Sequence, residues 1–217
     1  MNKVFIFDMD DTLYSEVDYV KSGFKHIAKL ICEELNTEEV EVYNSLFELY
    51  KFNSSNVFNR LYEKYDIAYT KDDINNLINE YRNHKPNIKL AGDALPFIKM
   101  KKAQGIKLGL ITDGYKEAQR NKIKALNLEE YMDYIIVTDE LGREFWKPHQ
   151  KAFVMMKEYF NVEYNEMTYL GDNIKKDFKA GNELGMNTIM ISRKNKVHKS
   201  TKKLDEIYLP KDTINKL

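Results

Sequence analysis

The chain has 217 residues, 43% of them hydrophobic, and equal numbers of basic and acidic side chains, 34 each. This length predicts one domain, or one domain with a modest insertion, and the apolar content is sufficient for a packed core. The formal charge of zero gives no general attraction to nucleic acid or to an anionic membrane surface, so we expect neither as a partner.

Cysteine content and hydropathy indicate the compartment. Cys32 is the only cysteine, which excludes an intramolecular disulfide and fits a reducing environment. No apolar run approaches the ~18 residues of a membrane span. The N-terminus also lacks the ordered regions of a signal peptide. We therefore expect a cytoplasmic protein.

The first predicted element is a strand at Val4–Phe7, where four apolar residues stand in a row. Three carboxylates follow within four positions, at Asp8, Asp10 and Asp11. We interpret the strand as fully buried. The carboxylates are then expected at the rim of the core, where a cation can bind, because a buried charge without a partner is costly.

The segment from about Ser15 to Lys85 contains no convincing strand, and its apolar residues recur at helical spacing. Thr70 and Asp73 are placed like a capping box. Four amphipathic helices of this length predict a small four-helix bundle. We therefore predict an inserted all-helical domain over residues 15–87, within a core domain formed by residues 1–14 and 88–217. The four apolar faces comprise Val17, Val20, Phe24, Ile27, Ile31 and Leu35, then Val40, Tyr43, Leu46, Phe47 and Tyr50, then Val57, Phe58, Leu61, Tyr62 and Tyr65, and finally Ile74, Leu77, Ile78 and Tyr81.

The rest of the chain alternates short apolar runs with stretches of helical period. The runs are Ile106–Ile111, Tyr134–Val137, Met167–Leu170 and Thr188–Ile191, and the helical stretches are Leu95–Ala103, Tyr115–Leu126, Pro148–Phe160 and Ile174–Leu184. Such alternation predicts an α/β fold, a Rossmann-like parallel sheet with helices on both faces. The basic stretch Lys194–Lys203 is predicted to be a solvated loop.

Polar residues also follow three of the later strands, as Thr112-Asp113-Gly114, Thr138-Asp139-Glu140 and Gly171-Asp172-Asn173. Ligands of open parallel sheets bind beyond the carboxyl ends of the strands. These groups are therefore expected to meet at one edge, although they lie far apart in sequence. Asp, Thr and Gly are also ordinary turn and cap residues, and we interpret the second of the three clusters in that way.

Four motifs in this order resemble those of the haloacid dehalogenase (HAD) superfamily. "FDMDDTLY" resembles the first motif, Asp-x-Asp-x-Thr, and "LITDG" resembles the second, a Thr or Ser that ends a strand. "WKP" at Trp146–Pro148 resembles the third, a Lys before Pro. "YLGDNIKKD" at Tyr169–Asp177 resembles the fourth, Gly-Asp followed by another Asp. The resemblance covers nearly the whole chain and includes the helical insertion, which many members carry as a cap domain.

The resemblance implies roles in phosphoryl transfer for the first two motifs. Asp8 is implied to be the nucleophile that forms an aspartyl-phosphate. Asp10 is implied to protonate the leaving oxygen and then to accept a proton from the hydrolytic water. Thr112 and the backbone amides of Asp113 and Gly114 are implied to hold the phosphoryl oxygens.

An anionic nucleophile and an anionic phosphoryl group repel each other, by about 4 kcal/mol at ~4 Å in an effective dielectric of ~20. The resemblance implies that Lys147 is catalytic and neutralises part of this charge. It implies that Mg²⁺ neutralises the rest, held by Asp8, Asp172 and the main-chain carbonyl of Asp10. Asp177 is a ligand, a partner of the ligands, or a plain salt-bridge or helix residue.

Asp10 also discriminates among the reactions of the family. Hydrolysis of a phosphate ester needs an acid and base at this position, whereas the dehalogenases and phosphonatases of the family generally lack it. We therefore expect a Mg²⁺-dependent phosphatase acting on a small phosphorylated metabolite, such as a sugar phosphate or a nucleotide, as a monomer or homodimer. A phosphosugar mutase of the β-phosphoglucomutase type and a non-catalytic phospho-ligand-binding protein are the alternatives.

Tyr14, Lys21 and Tyr115 lie near the expected cap–core junctions, where packing or surface roles are favoured over contact with the leaving group.

Overall fold

The computed structural model describes residues 3–192 and the backbone of residues 208–209. Contacts divide the chain into two compact units. The core unit comprises Met1–Val17 and Ile88–Leu217, and the helical unit comprises Asp18–Asn87. The predicted loop at Lys194–Lys203 lies outside the described residues.

The first boundary between the units lies inside a helix. It falls between residues 17 and 18, whereas the sequence predicted it between residues 14 and 15. The cause is local, because the backbone N–H of Glu16 donates to Asp11 Oδ1 at 2.8 Å. This hydrogen bond ties the first turn of the helix to the loop after the first strand.

Among the residues that the structure describes, six strands form one sheet in the order β3-β2-β1-β4-β5-β6, and all neighbouring pairs are parallel. The predicted parallel sheet is confirmed, with one further short strand that the sequence analysis did not identify. The strands are β1 Val4–Phe7, β2 Lys107–Thr112, β3 Tyr134–Val137, β4 Met167–Gly171, β5 Asn187–Ile191 and β6 Tyr208–Leu209.

Within the described residues the chain forms eight α-helices, which are α1 Glu16–Ile31, α2 Glu39–Phe52, α3 Val57–Lys64, α4 Lys71–Asn83, α5 Ala94–Ala103, α6 Lys116–Ala125, α7 Lys151–Phe160 and α8 Phe178–Glu183. The helix predicted from Ile174 begins four residues later. Residues 174–177 instead form a turn, in which the Asp177 N–H donates to the Asn173 carbonyl at 2.8 Å and Asp177 Oδ2 accepts the Asn173 N–H at 2.8 Å.

Strand β1 is the centre of the sheet, and its side chains alternate between two buried faces. Phe5 and Phe7 contact Phe97 of α5 edge to face, at centroid distances of 5.8 and 6.0 Å. Val4 and Ile6 belong to the cluster on the other face, which includes residues of α7. This alternation explains why four consecutive apolar residues are all buried, since a strand covered on both faces has no polar side.

The register of the sheet aligns the ends of its central strands. Phe7 pairs with Leu110 of β2 and with Leu170 of β4. The residues that follow these strands therefore emerge at one edge of the sheet. This is the position at which open parallel sheets bind ligands.

The helical unit has its own apolar core, to which α1, α2, α3 and α4 all contribute buried residues. Leu46 of α2 and Leu61 of α3 are fully buried in it. Thr70 and Asp73 form the predicted capping box at the start of α4, because Thr70 Oγ1 accepts the Asp73 N–H at 3.3 Å and Asp73 Oδ2 accepts the Thr70 N–H at 2.7 Å. In the part of the chain that the structure describes, no helix combines the length and the apolar character that a membrane span requires.

Replacing Leu61 by Ala should lower the free energy of unfolding by about 2–5 kcal/mol, because it leaves a cavity in the core of the helical unit. Leu30→Ala is the matched control, since Leu30 is 51% exposed and its truncation should cost no more than about 0.5 kcal/mol. Urea denaturation followed by circular dichroism measures both. Equal losses in the two variants would contradict the assigned core.

Candidate active site

Asp8 lies directly after β1 and is nearly buried, with 6% of its surface exposed. Its backbone N–H continues the pairing with β4 by donating to the Leu170 carbonyl at 2.8 Å. Lys147 Nζ lies 2.6 Å from Asp8 Oδ1, and the Thr12 hydroxyl donates to Asp8 Oδ2 at 3.2 Å. Both carboxylate oxygens are therefore held in a defined orientation.

Lys147 lies in the segment between β3 and α7, and its ammonium group is buried among three oxygen atoms. The Nζ donates to Asp8 at 2.6 Å, to Asp177 Oδ1 at 2.8 Å and to the Tyr169 hydroxyl at 3.0 Å. An ammonium group has three N–H donors, so all of them are used. The backbone N–H of Lys147 donates to Asp113 Oδ1 at 3.1 Å, which connects the third motif to the second.

Asp8, Asp172 and Asp177 form a buried carboxylate cluster in which one oxygen from each residue lies within 4.8 Å of the others. Lys147 contacts Asp8 and Asp177, so its single positive charge is shared between two of these carboxylates. Buried charge of this kind must be neutralised by a partner or a metal. Carboxylate oxygens are the ligands that Mg²⁺ prefers. The donor set therefore fits a hard divalent cation.

Asp177 accepts hydrogen bonds on both of its carboxylate oxygens. Its Oδ1 accepts from Lys147 and, at 3.2 Å, from the Tyr169 hydroxyl, while its Oδ2 accepts the Asn173 N–H. Gly171 permits this position, because a Cβ at residue 171 would lie 2.5 Å from Asp177 Oδ2. Asp177 therefore connects Lys147 and Tyr169 to the turn before α8.

The pKa shifts in this cluster follow from burial and charge. Burial alone would lower the pKa of Lys147, but the carboxylates of Asp177 and Asp8 reverse this and raise it well above its usual value. Lys147 is therefore charged. Burial raises the pKa of Asp8 well above its usual value. The charge of Lys147 opposes this shift, and the charges of Asp177 and Asp172 add to it. A cation added to the cluster would favour the ionised form of Asp8.

Asp10 has a separate set of partners. Lys122 Nζ lies 2.9 Å from its Oδ1 and 3.1 Å from its Oδ2. Gln119 Nε2 donates to Oδ2 at 2.9 Å, and the Tyr14 hydroxyl donates to Oδ1. Gln119 also donates to the Asp113 carbonyl, so the first and second motifs are connected through this side chain.

These partners shift the pKa of Asp10 in the direction opposite to that of Asp8. Burial alone would raise the pKa of Asp10, but the charge of Lys122 and the hydrogen bonds from Tyr14, Lys122 and Gln119 lower it below its usual value. Asp10 is therefore ionised at neutral pH.

The second motif contributes polar groups at the end of β2. Thr112 is 1% exposed, and its hydroxyl oxygen is buried without a hydrogen-bond partner among the described residues. Gly114 has φ of 133°, a backbone conformation that favours glycine. Asp113 Oδ1 accepts the Thr138 hydroxyl at 2.7 Å. Asp139, predicted as an ordinary turn and cap residue, accepts the Lys116 N–H at 3.0 Å at the start of α6.

Three side chains contact the site without having been predicted from the sequence, and these are Gln119, Lys122 and Tyr169. Tyr169 lies inside an apolar run and was interpreted as a strand residue. Gln119 and Lys122 are three positions apart on α6, a spacing that places them on the same side of a helix. This spacing indicates that the two side chains share a face of the helix. It does not show that Lys122 rather than Lys124 is the inward lysine, because only the structure shows that Lys124 is exposed.

Glu16, in the first turn of α1, is a further titratable group near Asp10. Burial and the charge of Asp10 raise its pKa from 4.5 to about 8, although Lys122 opposes the shift. The folded protein therefore holds a proton on Glu16 at pH values where an exposed glutamate would be ionised.

Comparison with known proteins identifies the family. Residues 5–191 match the family described as haloacid dehalogenase-like hydrolase. The chain belongs to this family, and the resemblance of the four motifs is confirmed. A glyceraldehyde 3-phosphate phosphatase from Methanocaldococcus jannaschii is 32% identical over 196 residues, which cover 88% of this chain and 85% of the relative.

Solved structures support the fold class. A HAD phosphatase from Thermococcus onnurineus has a TM-score of 0.59 at 23% identity, covering 94% of this chain and 92% of that one. A candidate β-phosphoglucomutase from Thermotoga maritima has a TM-score of 0.70 at 19% identity, covering 99% and 97%. At these identities the two structures establish the α/β fold alone. Relatives named as phosphatases span most of this chain, so the predicted enzyme class, an HAD-like phosphatase, is confirmed.

Glu16→Gln should change how stability depends on pH in the absence of divalent cations. Because the folded pKa of about 8 lies above the ordinary 4.5, Glu16 contributes stability below pH 4.5 that is lost as the pH rises to about 8. The variant does not lose this stability as the pH rises. At pH 8 its free energy of unfolding should therefore exceed that of the wild type by about 2–4 kcal/mol. Urea titrations in EDTA at several pH values measure the difference.

The control for this measurement is Glu39→Gln, which removes an exposed carboxylate at the start of α2. It should follow the pH dependence of the wild type. The same pH slope for Glu16→Gln as for wild type would contradict the buried, protonated state assigned to Glu16.

Proposed function

We propose that the protein is a Mg²⁺-dependent phosphatase that hydrolyses a small phosphate monoester through an aspartyl-phosphate on Asp8. The observation that carries this proposal is the buried ion pair at the end of β1, where Lys147 Nζ lies 2.6 Å from Asp8 Oδ1 beside Asp172 and Asp177. A carboxylate held in one orientation beside a fixed positive charge is suited to attack an anionic phosphoryl group.

The reaction has two chemical steps. In the first, an Asp8 carboxylate oxygen forms a bond to phosphorus, and the bond between phosphorus and the ester oxygen breaks. Asp10 gives its proton to the departing oxygen. In the second, Asp10 takes a proton from water, the resulting hydroxide forms a bond to phosphorus, and the bond between phosphorus and Asp8 breaks. Inorganic phosphate and free Asp8 result.

The protonation of Asp10 in the first step depends on the substrate. In the structure its neighbours hold it as a carboxylate. A phosphate dianion brought near Asp10 would raise its pKa, since adjacent negative charge favours the protonated form. We therefore propose that Asp10 acquires its proton together with the substrate.

Asp8, Asp172 and the main-chain carbonyl of Asp10 would hold Mg²⁺. When bound, Mg²⁺ supplies the positive charge that offsets the repulsion between Asp8 and the phosphoryl oxygens. The close approach of three buried carboxylate groups at this edge of the sheet supports this assignment. Lys147 contributes one fixed positive charge, and Asp177 keeps it directed at Asp8.

Thr112 and the backbone N–H groups of Asp113 and Gly114 are proposed to hold the phosphoryl oxygens. The buried Thr112 hydroxyl supports this role, because its oxygen finds no hydrogen-bond partner within residues 3–192. A buried hydroxyl normally has a partner. A phosphoryl oxygen would supply it.

The substrate is proposed to be a small sugar phosphate, with glyceraldehyde 3-phosphate as the first candidate. Archaeal relatives of that name are 32%, 28%, 29% and 30% identical to this chain and span most of it. The helical unit is proposed to act as the cap that many family members carry, and to determine which phosphomonoester is accepted.

Asp8→Asn should reduce phosphate release by about 10⁴-fold or more, because an amide oxygen is a poor nucleophile and cannot form the aspartyl-phosphate. The assay measures phosphate released from 4-nitrophenyl phosphate and from glyceraldehyde 3-phosphate in the presence of Mg²⁺. Asp72→Asn, at an exposed position of α4, is the control and should retain wild-type activity. Normal turnover by Asp8→Asn would exclude Asp8 as the nucleophile.

Removal of divalent cations with EDTA should abolish activity, and Mg²⁺ should restore it. Asp172→Asn should raise the Mg²⁺ concentration needed for half-maximal activity by at least about 10-fold, since it removes a charged ligand. Full activity in EDTA would contradict the metal requirement. Conversion of one monophosphate isomer to another without phosphate release would identify a mutase, and tight binding without turnover would identify a binding protein.

A further inference from the structure

The carboxylate of Asp10 accepts four hydrogen bonds from buried side chains. Oδ1 accepts from the Tyr14 hydroxyl and from Lys122 Nζ, and Oδ2 accepts from Gln119 Nε2 and from Lys122 Nζ. The three donor residues are almost inaccessible to solvent, with exposed fractions of 0% for Tyr14, 4% for Lys122 and 2% for Gln119. With donors on both oxygens, the plane of the carboxylate is fixed.

Two of these donors come from α6, and the start of that helix is itself fixed. Asp139 Oδ2 accepts the backbone N–H of Lys116 at the first residue of α6. Gln119 and Lys122 follow at a spacing of three, so they lie on one side of the helix. The helix begins two residues after Gly114, so its position is coupled to the end of β2.

A buried lysine paired with a carboxylate is an unusual feature. Lysine is almost never fully buried unless it is paired. Replacing a buried ion pair by apolar residues of similar volume is often neutral or stabilising, so such a pair is weak support for a purely structural role. The position of the Lys122–Asp10 pair at the carboxyl edge of the sheet, next to the second motif, favours a role in the reaction.

We propose that Lys122, assisted by Gln119, is a positioning residue for Asp10. It holds the Asp10 carboxylate in the orientation from which Asp10 gives a proton to the leaving oxygen and later takes one from water. Lys122 acts through the Asp10 carboxylate, which its Nζ contacts at 2.9 and 3.1 Å. This inference rests on the proposed function, because it assigns a partner to the acid and base of that reaction.

The consequence is a dependence on the leaving group. An alkoxide is a poor leaving group and needs the proton from Asp10, whereas 4-nitrophenolate departs without one. Misplacing Asp10 should therefore slow cleavage of an alkyl phosphate far more than the first cleavage of an aryl phosphate. A variant that was merely less well folded would lose both reactions equally.

The test compares Lys122→Met with Lys124→Met, which removes an exposed lysine from the same helix. With glyceraldehyde 3-phosphate, Lys122→Met should lower kcat by about 100-fold and leave KM within about 3-fold. Single-turnover release of 4-nitrophenol from 4-nitrophenyl phosphate should fall by less than about 5-fold, because this step needs little acid assistance. Lys124→Met should match the wild type in both assays.

A double-mutant cycle with Asp10→Asn distinguishes positioning from structural support. If Lys122 acts through Asp10, then Lys122→Met should reduce kcat by no more than about 3-fold further in the Asp10→Asn background. Additive losses, or equal losses for the alkyl and aryl substrates, would overturn the proposal. Wild-type kinetics for Lys122→Met with the alkyl substrate would also overturn it.

Thermal unfolding shows whether Lys122→Met is folded. If it is not, Gln119→Met tests the same arrangement, because it removes one donor to Asp10 and keeps the ion pair. It should lower kcat with the alkyl substrate by about 10-fold, and it should cause no further loss of kcat in the Asp10→Asn background.

The proposed function and the proposed role of Lys122 would be refuted by different results. Absence of phosphate release by the wild type would refute the proposed function. If the wild type is active, then unchanged kinetics of Lys122→Met, or losses that add to those of Asp10→Asn, would refute only the role of Lys122.

Discussion

The buried ammonium group of Lys147 is the interaction on which the arrangement of the site depends. It contacts Asp8 after β1, Tyr169 within β4 and Asp177 before α8. Strands β1 and β4 are neighbours in the sheet, although Asp8 and Tyr169 lie far apart in the chain. Carboxylates buried without a positive partner would each carry a desolvation penalty of several kcal/mol. The segment between β3 and α7 must therefore bring Lys147 to the sheet edge if the carboxylate cluster is to be stable.

Asp8 and Asp10 are separated by one residue, yet their surroundings shift their pKa values in opposite directions. Burial raises that of Asp8, while Lys122 and its neighbours lower that of Asp10. Separated environments of this kind are how one site assigns different roles to two carboxyl groups. Both directions oppose the proposed first step, which needs an ionised Asp8 and a protonated Asp10. In the proposed mechanism a cation bound near Asp8 and a phosphate brought near Asp10 would correct the two mismatches, so the reaction would depend on the arrival of both ligands.

The sequence was sufficient for five of the six strands, because central strands such as β1 and β4 are covered on both faces. Such strands must be apolar at consecutive positions, as in Val4–Phe7, so they stand out against helical periodicity. The turn before α8 could not be predicted from the pattern of apolar residues. Residues 174–177 have helical character in sequence, but they form a separate turn in which the Asp177 side chain accepts the Asn173 N–H, and α8 begins only at Phe178. A side-chain bond of this kind competes locally with helix formation and leaves no periodic signal.

For the site, the sequence by itself determined the residues that stand at or directly after the ends of strands, such as Asp8, Thr112 and Asp172. Position after a parallel strand fixes a residue at the ligand-binding edge. Only the tertiary structure decided which helix residues turn inward to meet them. Lys122 and Lys124 have the same residue type on the same helix, and burial against Asp10 alone separates them. The physical reason is that a strand end is a topological position readable along the chain, whereas the partner of a buried charge depends on contacts between segments more than a hundred residues apart.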